Sequence, residues 1–110
     1  MTRQETIAEI TRRLVEYFHP ERIYLFGSAA TGEMGPDSDL DFCVVLPDDA
    51  PKELYRPRAR EAIRGIGTAV DLIRLPVTDF DARAKYVAAS LPAAVLREGR
   101  LLYDRRRVAA

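Results

Sequence analysis

The sequence predicts an α/β (α+β) domain, a small mixed β-sheet of three to four strands with helices packed on it. Three observations lead there. Short apolar runs rich in strand formers alternate with stretches whose apolar residues recur at helical spacing. Glycine and proline punctuate the junctions. A chain of 110 residues, 47% hydrophobic and 31% charged, suits a single core spanning residues 1–110.

The elements follow in order. Thr2-Arg3-Gln4-Glu5 has the pattern of a capping box, in which a hydroxyl and a carboxylate satisfy the first free N–H groups of a helix. Ile7, Ile10, Leu14, Val15 and Phe18 then share one stripe, and Pro20 stops the pattern near His19, a helix-end residue expected to cap or face water. Arg22-Ile23-Tyr24-Leu25-Phe26 reads as a strand running into a turn at Gly27. Gly32, Gly35 and Pro36 mark a loop, and residues 39–46 form a second strand closed by Pro47. Pro57 opens a basic helix with Ala59, Ala62, Ile63 and Ile66 on its apolar side, ending around Gly65 to Gly67. Residues 69–75 read as a third strand. Residues 78–89 read as a helix capped by Thr78, and Ser90-Leu91-Pro92 opens another that stops at Gly99. Leu101-Leu102-Tyr103 adds a marginal fourth strand, and residues 105–110 are expected to fray.

Composition excludes several classes. No apolar run nears the roughly 18 residues a membrane span requires. The start, Met1-Thr2-Arg3-Gln4-Glu5, lacks the basic-then-apolar layout of a signal peptide. Cys43 is the only cysteine and lies in an apolar run, where a small buried hydrophobe and a reducing, cytoplasmic setting are expected. Seventeen basic residues balance seventeen acidic ones, so direct nucleic-acid binding is not expected. The distribution is uneven. Residues 23–51 hold no Lys or Arg but carry Glu33, Asp37, Asp39, Asp41, Asp48 and Asp49, whereas residues 52–64 are dominated by Lys52, Arg56, Arg58, Arg60 and Arg64.

Three aspartates occupy positions that folding alone disfavours: Asp39 and Asp41 at the start of one apolar strand, and Asp71 inside another. Strand residues two apart project to the same side, with Cα atoms about 6.5 Å apart, so Asp39 and Asp41 share a face. Were Asp71 level with them on a neighbouring strand, the oxygen-only set would suit a hard divalent cation, magnesium above all, bound together with phosphates. Gly27-Ser28, directly after a strand, supplies a close backbone approach and an N–H and hydroxyl for an anion.

Gly27-Ser28, ten intervening residues, Asp39-Leu40-Asp41, and Asp71 in a later strand together resemble the minimal nucleotidyltransferase (MNT) branch of the DNA polymerase β-like superfamily. The likeness covers most of the chain, including the leading helix, Ser38 before the first aspartate, and Glu98-Gly99-Arg100-Leu101-Leu102-Tyr103. The resemblance implies a polymerase β-like fold and transfer of a nucleoside monophosphate, AMP from ATP, onto a hydroxyl. By the same resemblance Gly27, Ser28 and Ser38 bind the nucleotide's phosphates. By that resemblance Asp39, Asp41 and Asp71 are the catalytic residues and metal ligands: Asp39 and Asp41 ligate two Mg2+ ions, and Asp71 either binds the ion that activates the acceptor hydroxyl or assists in removing its proton. It further implies a role as the antitoxin of a HEPN ribonuclease toxin, one of whose tyrosines accepts AMP. Many relatives carry a basic residue where this chain has Ala29-Ala30-Thr31-Gly32. Neutralisation of the triphosphate is then left to the metals and to Lys52, Arg56 or a partner's side chain.

Two other readings keep part of this: a transferase acting on a small hydroxylated compound such as an aminoglycoside, and an idle site in an antitoxin that merely masks its toxin. For the residues singly there are structural alternatives. Asp71 could pair with Arg74 or Arg22, the arginines of 58–64 could be a solvated face, and the five tyrosines could serve packing alone.

Overall fold

The computed structural model describes residues 1–27, 30 and 39–107. Helix α1 spans Arg3–Phe18, and its capping box forms in full. The Thr2 hydroxyl accepts from the Glu5 N–H at 3.1 Å, and the Glu5 carboxylate accepts from the Thr2 N–H at 2.9 Å. Ile7, Ile10, Leu14 and Phe18 are its buried stripe. His19 closes the helix in the left-handed conformation (φ 48°), donating its N–H to Val15 O at 3.0 Å, as a capping residue does.

Strands β1 (Arg22–Phe26), β2 (Leu40–Leu46), β3 (Val70–Pro76) and β4 (Arg100–Asp104) make one mixed sheet in the order β3-β2-β1-β4. β2 pairs antiparallel with β1 and parallel with β3, while β4 runs antiparallel along the other side of β1. Helices α2 (Val77–Tyr86) and α3 (Leu91–Glu98) lie between β3 and β4 in the chain.

Where a single core was expected, alternation along the strands builds two, one on each face of the sheet. Ile23, Leu25, Leu40, Phe42, Val44, Val70 and Leu72 face α1 and the segment containing Ala59 and Ile63. Tyr24, Cys43 and Val45 face the other way, against Phe80 of α2 and Val95 of α3. The sheet is thus sandwiched between helical layers, each fully buried apolar side chain contributing about 1.5–3 kcal/mol of transfer free energy. Gly99 allows the close turn from α3 into β4, since a Cβ there would stand 2.5 Å from Val95 O and 3.0 Å from Leu25 O.

Several elements differ from expectation. The basic segment after Pro57 is a 3-10 helix over Pro57–Ile63, preceded by another over Lys52–Tyr55, rather than an α-helix. Three-residue bonds such as Ala59 N–H to Arg56 O and Arg64 N–H to Glu61 O bound it. Thr78 does not cap α2, which begins at Val77. Its N–H and hydroxyl both donate to the carboxylate of Asp48, which reaches over from the turn after β2. β4 is a full five-residue strand, paired along β1 from Arg22 to Leu25 with one irregularity between Ile23 and Tyr24. Residues 105–107 are not frayed. They form a 3-10 turn in which Arg105 donates its N–H to Glu21 O at 2.9 Å and the Asp104 carboxylate accepts from the Arg106 N–H at 3.0 Å. The rest of the expected tail, 108–110, lies outside the described residues.

Candidate active site

The sheet's register decides which acidic residues meet. In the parallel pair, Asp41 of β2 stands directly beside Asp71 of β3. In the antiparallel pair, Asp41 stands opposite Phe26, the last residue of β1. Asp41 and Asp71 alternate with Phe42 and Leu72, which are in the α1-facing core, so both carboxylates project on the opposite face, shared with Tyr24 and Cys43. Asp39 comes one residue before β2. Asp39 and Asp71 are exposed and Asp41 is half-buried, which leaves this corner of the sheet open while α2 and α3 cover the same face further along.

Gly27 completes the corner. Its φ of 75° lies where a side chain is strained, and a Cβ built there would overlap Asp41 Oδ2 and stand 3.4 Å from Asp41 Cγ. The absent side chain lets the turn backbone lie against the carboxylate. Ser28 and Ser38, the other expected phosphate-binding residues, lie outside the described residues.

Electrostatics bear on the proximity of the three acids. The Asp41 carboxyl is held above its ordinary value, first by partial burial, then by the negative charges of Asp71 and Asp39. No described basic side chain forms an ion pair with any of the three. The alternative partners for Asp71 are engaged elsewhere. Arg22 pairs with Asp81 at 2.6 Å and lies over the Phe80 ring, and Arg74 donates to the carbonyls of Leu54 and Arg56. Among the described residues, no group of three or more His, Cys, Asp or Glu side chains is drawn together tightly enough to hold a metal ion. Asp41 and Asp71 are aligned by the strand register and repel one another, as like charges do at such a spacing. As a donor set they are oxygen-only and in excess of negative charge, which fits a hard divalent ion.

Two features of the site escaped the sequence reading. Phe26 is the register partner of Asp41 and packs against the second core on that face. Arg60 donates to Val70 O at 2.6 Å, one residue before Asp71. Both depend on contacts between separate elements, and neither has a local signal in the sequence. Cys43, two residues along from Asp41, is fully buried, and burial pushes its thiol up to about 12, so it takes no part in chemistry at the open corner.

A mixed sheet sandwiched by helices, with paired strand carboxylates beside a glycine turn, defines a class of small α+β domains built to present acidic groups at a sheet's open end. The chain belongs to the nucleotidyltransferase domain family, whose model matches residues 5–102. Solved structures share the fold. A toxin–antitoxin complex with AMP-PNP superposes with a TM-score of 0.61 at 22% identity, covering 91% of this chain and 75% of that one. A Sulfolobus solfataricus protein provisionally assigned as a nucleotidyltransferase also gives 0.61, at 19% identity over 96% of this chain and 84% of that one. A tyrosine-to-alanine mutant of the toxin–antitoxin pair MntA–HpeT gives 0.57 at 20% identity, covering 97% and 76%. No curated protein matches the chain.

Proposed function

We propose that this domain transfers AMP from ATP to a tyrosine hydroxyl of a cognate HEPN-type toxin and so acts as its antitoxin. The observation that carries the chemistry is the lateral pairing of Asp41 with Asp71 on the face against which the Gly27 backbone abuts. Membership of the nucleotidyltransferase domain family supports the reaction class. The fold shared with a toxin–antitoxin complex holding AMP-PNP, and with a toxin–antitoxin pair in which a tyrosine was replaced, supports the nucleotide and the partner class.

In this reading Asp39, Asp41 and Asp71 hold Mg2+, which when bound supplies charge neutralisation at the phosphates and lowers the pKa of the attacking hydroxyl. The Gly27 turn, with Ser28 and Ser38, holds the triphosphate at the β1 side of the site. Asp71, on the edge strand, is the carboxylate nearest an acceptor arriving from outside the sheet. The tyrosine oxygen attacks the α-phosphorus and the bond to the β-phosphate oxygen breaks. Pyrophosphate leaves, and the phenolic proton passes to the Asp71 carboxylate or to water. Little further covalent work is asked of the protein, since positioning and charge dominate such transfers.

The test is incubation of the chain and its co-purifying partner with α-labelled ATP and magnesium. Label on the partner protein, lost with D39N and D41N variants that remain folded, supports the proposal. Label on a small hydroxylated compound alone, or unchanged transfer in the variants, refutes it.

A further inference from the structure

The sheet ends on one side in β4 and on the other in β3, and the two edges differ. β4 meets β1 through an irregular register, whereas β3 pairs with β2 without a break from Val70 to Pro76. Parallel pairing sorts the β3 backbone. Ala69 O accepts from the Leu40 N–H, so Asp71, Ile73 and Leu75 turn their backbone groups to β2, and Val70, Leu72 and Arg74 turn theirs to the outside. Arg60 takes Val70 O at 2.6 Å. Among the described residues no hydrogen bond reaches the outward N–H and C=O groups of Leu72 and Arg74. The edge is accessible as well. Phe42–Leu46 of β2 are buried, but Ile73, Arg74 and Leu75 are only half-buried and Asp71 is exposed. The Arg74 guanidinium is drawn to Leu54 O and Arg56 O, on the face of Val70 and Leu72.

The chemistry of the edge narrows its partner. Outward donors and acceptors that recur at strand spacing are complemented, partial charge for partial charge, by another extended backbone. On the face that carries the site, Asp71, Ile73 and Leu75 follow one another at alternate positions. In an antiparallel added strand, two residues exchange paired hydrogen bonds with Leu72 and Arg74. The residues between and beside them stand opposite Leu75, Ile73 and Asp71, with Cα atoms about 4.5 Å apart and side chains on the same face. Apolar side chains match Leu75 and Ile73, and the last position brings a side chain to Asp71. Arg60 marks where the added strand stops, because the carbonyl one residue beyond Asp71 is already filled.

We propose that the free edge of β3 receives an extended segment of the acceptor protein as an added antiparallel strand, of pattern apolar-X-apolar-X-tyrosine, which sets the tyrosine opposite Asp71; this rests on the reading that a protein tyrosine is the acceptor. The probe is the acetylated peptide Val-Thr-Val-Thr-Tyr, added without nucleotide or magnesium to the isotope-labelled full chain and followed by chemical shifts and amide exchange. In the free chain the Leu72 and Arg74 N–H groups should exchange faster than those of Asp71 and Ile73, and the peptide should slow them by about tenfold or more. N-methylation of both Thr residues, whose amides face β3, should weaken binding by about tenfold or more, and N-methylation of both Val residues, whose amides face away, should leave it unchanged. Equal losses from the two methylated peptides overturn the proposal, as do shifts confined to Leu101, Leu102 and Tyr103 on the β4 edge. Slow exchange of Leu72 and Arg74 in the free chain, or no shift at millimolar peptide, also overturns it. Protection that grows with the concentration of the chain alone assigns the edge to a second copy and does the same. With no nucleotide present, the binding result and the transfer reaction fail or succeed separately.

Discussion

Asp41→Asn should make the domain more stable at neutral pH while abolishing transfer. Asp41 and Asp71 are lateral neighbours on parallel strands, about 4.8 Å apart at the backbone. Two unit charges at that separation repel by about 1 kcal/mol in bulk water and about 3 kcal/mol at an effective dielectric of 20. Asp41 is half-buried and Asp71 exposed, so water and salt screen the pair and the repulsion falls to the bottom of that range or just below it, about 0.5–1 kcal/mol. For a domain of this size that is a rise in Tm of roughly 2–8 °C. The pH dependence has a definite sign. The folded-state pKa of Asp41 is raised, so its contribution to stability is fully present below the unfolded value near 3.8 and is lost as pH rises through the folded value. The advantage of D41N should therefore be present at pH 7 and disappear in acid below that unfolded value. Thermal denaturation of wild type and variant across this range measures it. A D41N protein less stable than the wild type at pH 7 would refute the claim that the acids cost the fold stability.

Other perturbations test the surrounding structure. Gly27→Ala forces a side chain into the left-handed region at a cost of about 1–2 kcal/mol and pushes on the Asp41 carboxylate. Urea titration should show that loss, and transfer should fall further than the loss of folded protein explains. Phe80→Ala removes the ring stacked on Tyr24 at 5.5 Å and lying under Arg22, and should cost about 3–5 kcal/mol by chemical denaturation. A loss below 1 kcal/mol would contradict its place at the centre of the second core. Cys43, fully buried with its thiol at about 12, should resist iodoacetamide at neutral pH until the protein unfolds; rapid labelling of the native state would disprove the packing around it.

Local chemistry in the chain made much of this legible. The capping box at Thr2 and Glu5, the α1 stripe, the bounds of β1 and the Ser90 cap each rest on contacts within a few residues, and each forms as expected. The aspartates stood out because strands seldom carry them. What misled was competition from distant parts of the chain. Thr78 has the look of a helix cap, but Asp48, thirty residues earlier, takes its donors. The arginines of 105–107 look like a solvated tail, but Glu21, His19 O and Asp104 hold them.

By itself the sequence determined the kinds of element, their order and the faces on which their apolar side chains fall, because helix and strand periodicity are properties of neighbouring residues. It also marked Asp39, Asp41 and Asp71 as residues that folding alone disfavours where they stand. Only the tertiary structure decided that β3 runs parallel to β2 in the one register that sets Asp71 beside Asp41, and that the Gly27 backbone meets the same carboxylate. A one-residue slip would send Asp71 to the opposite face, and register is chosen by the burial of Leu40, Phe42, Val70 and Leu72 in a core that exists only once the chain has folded.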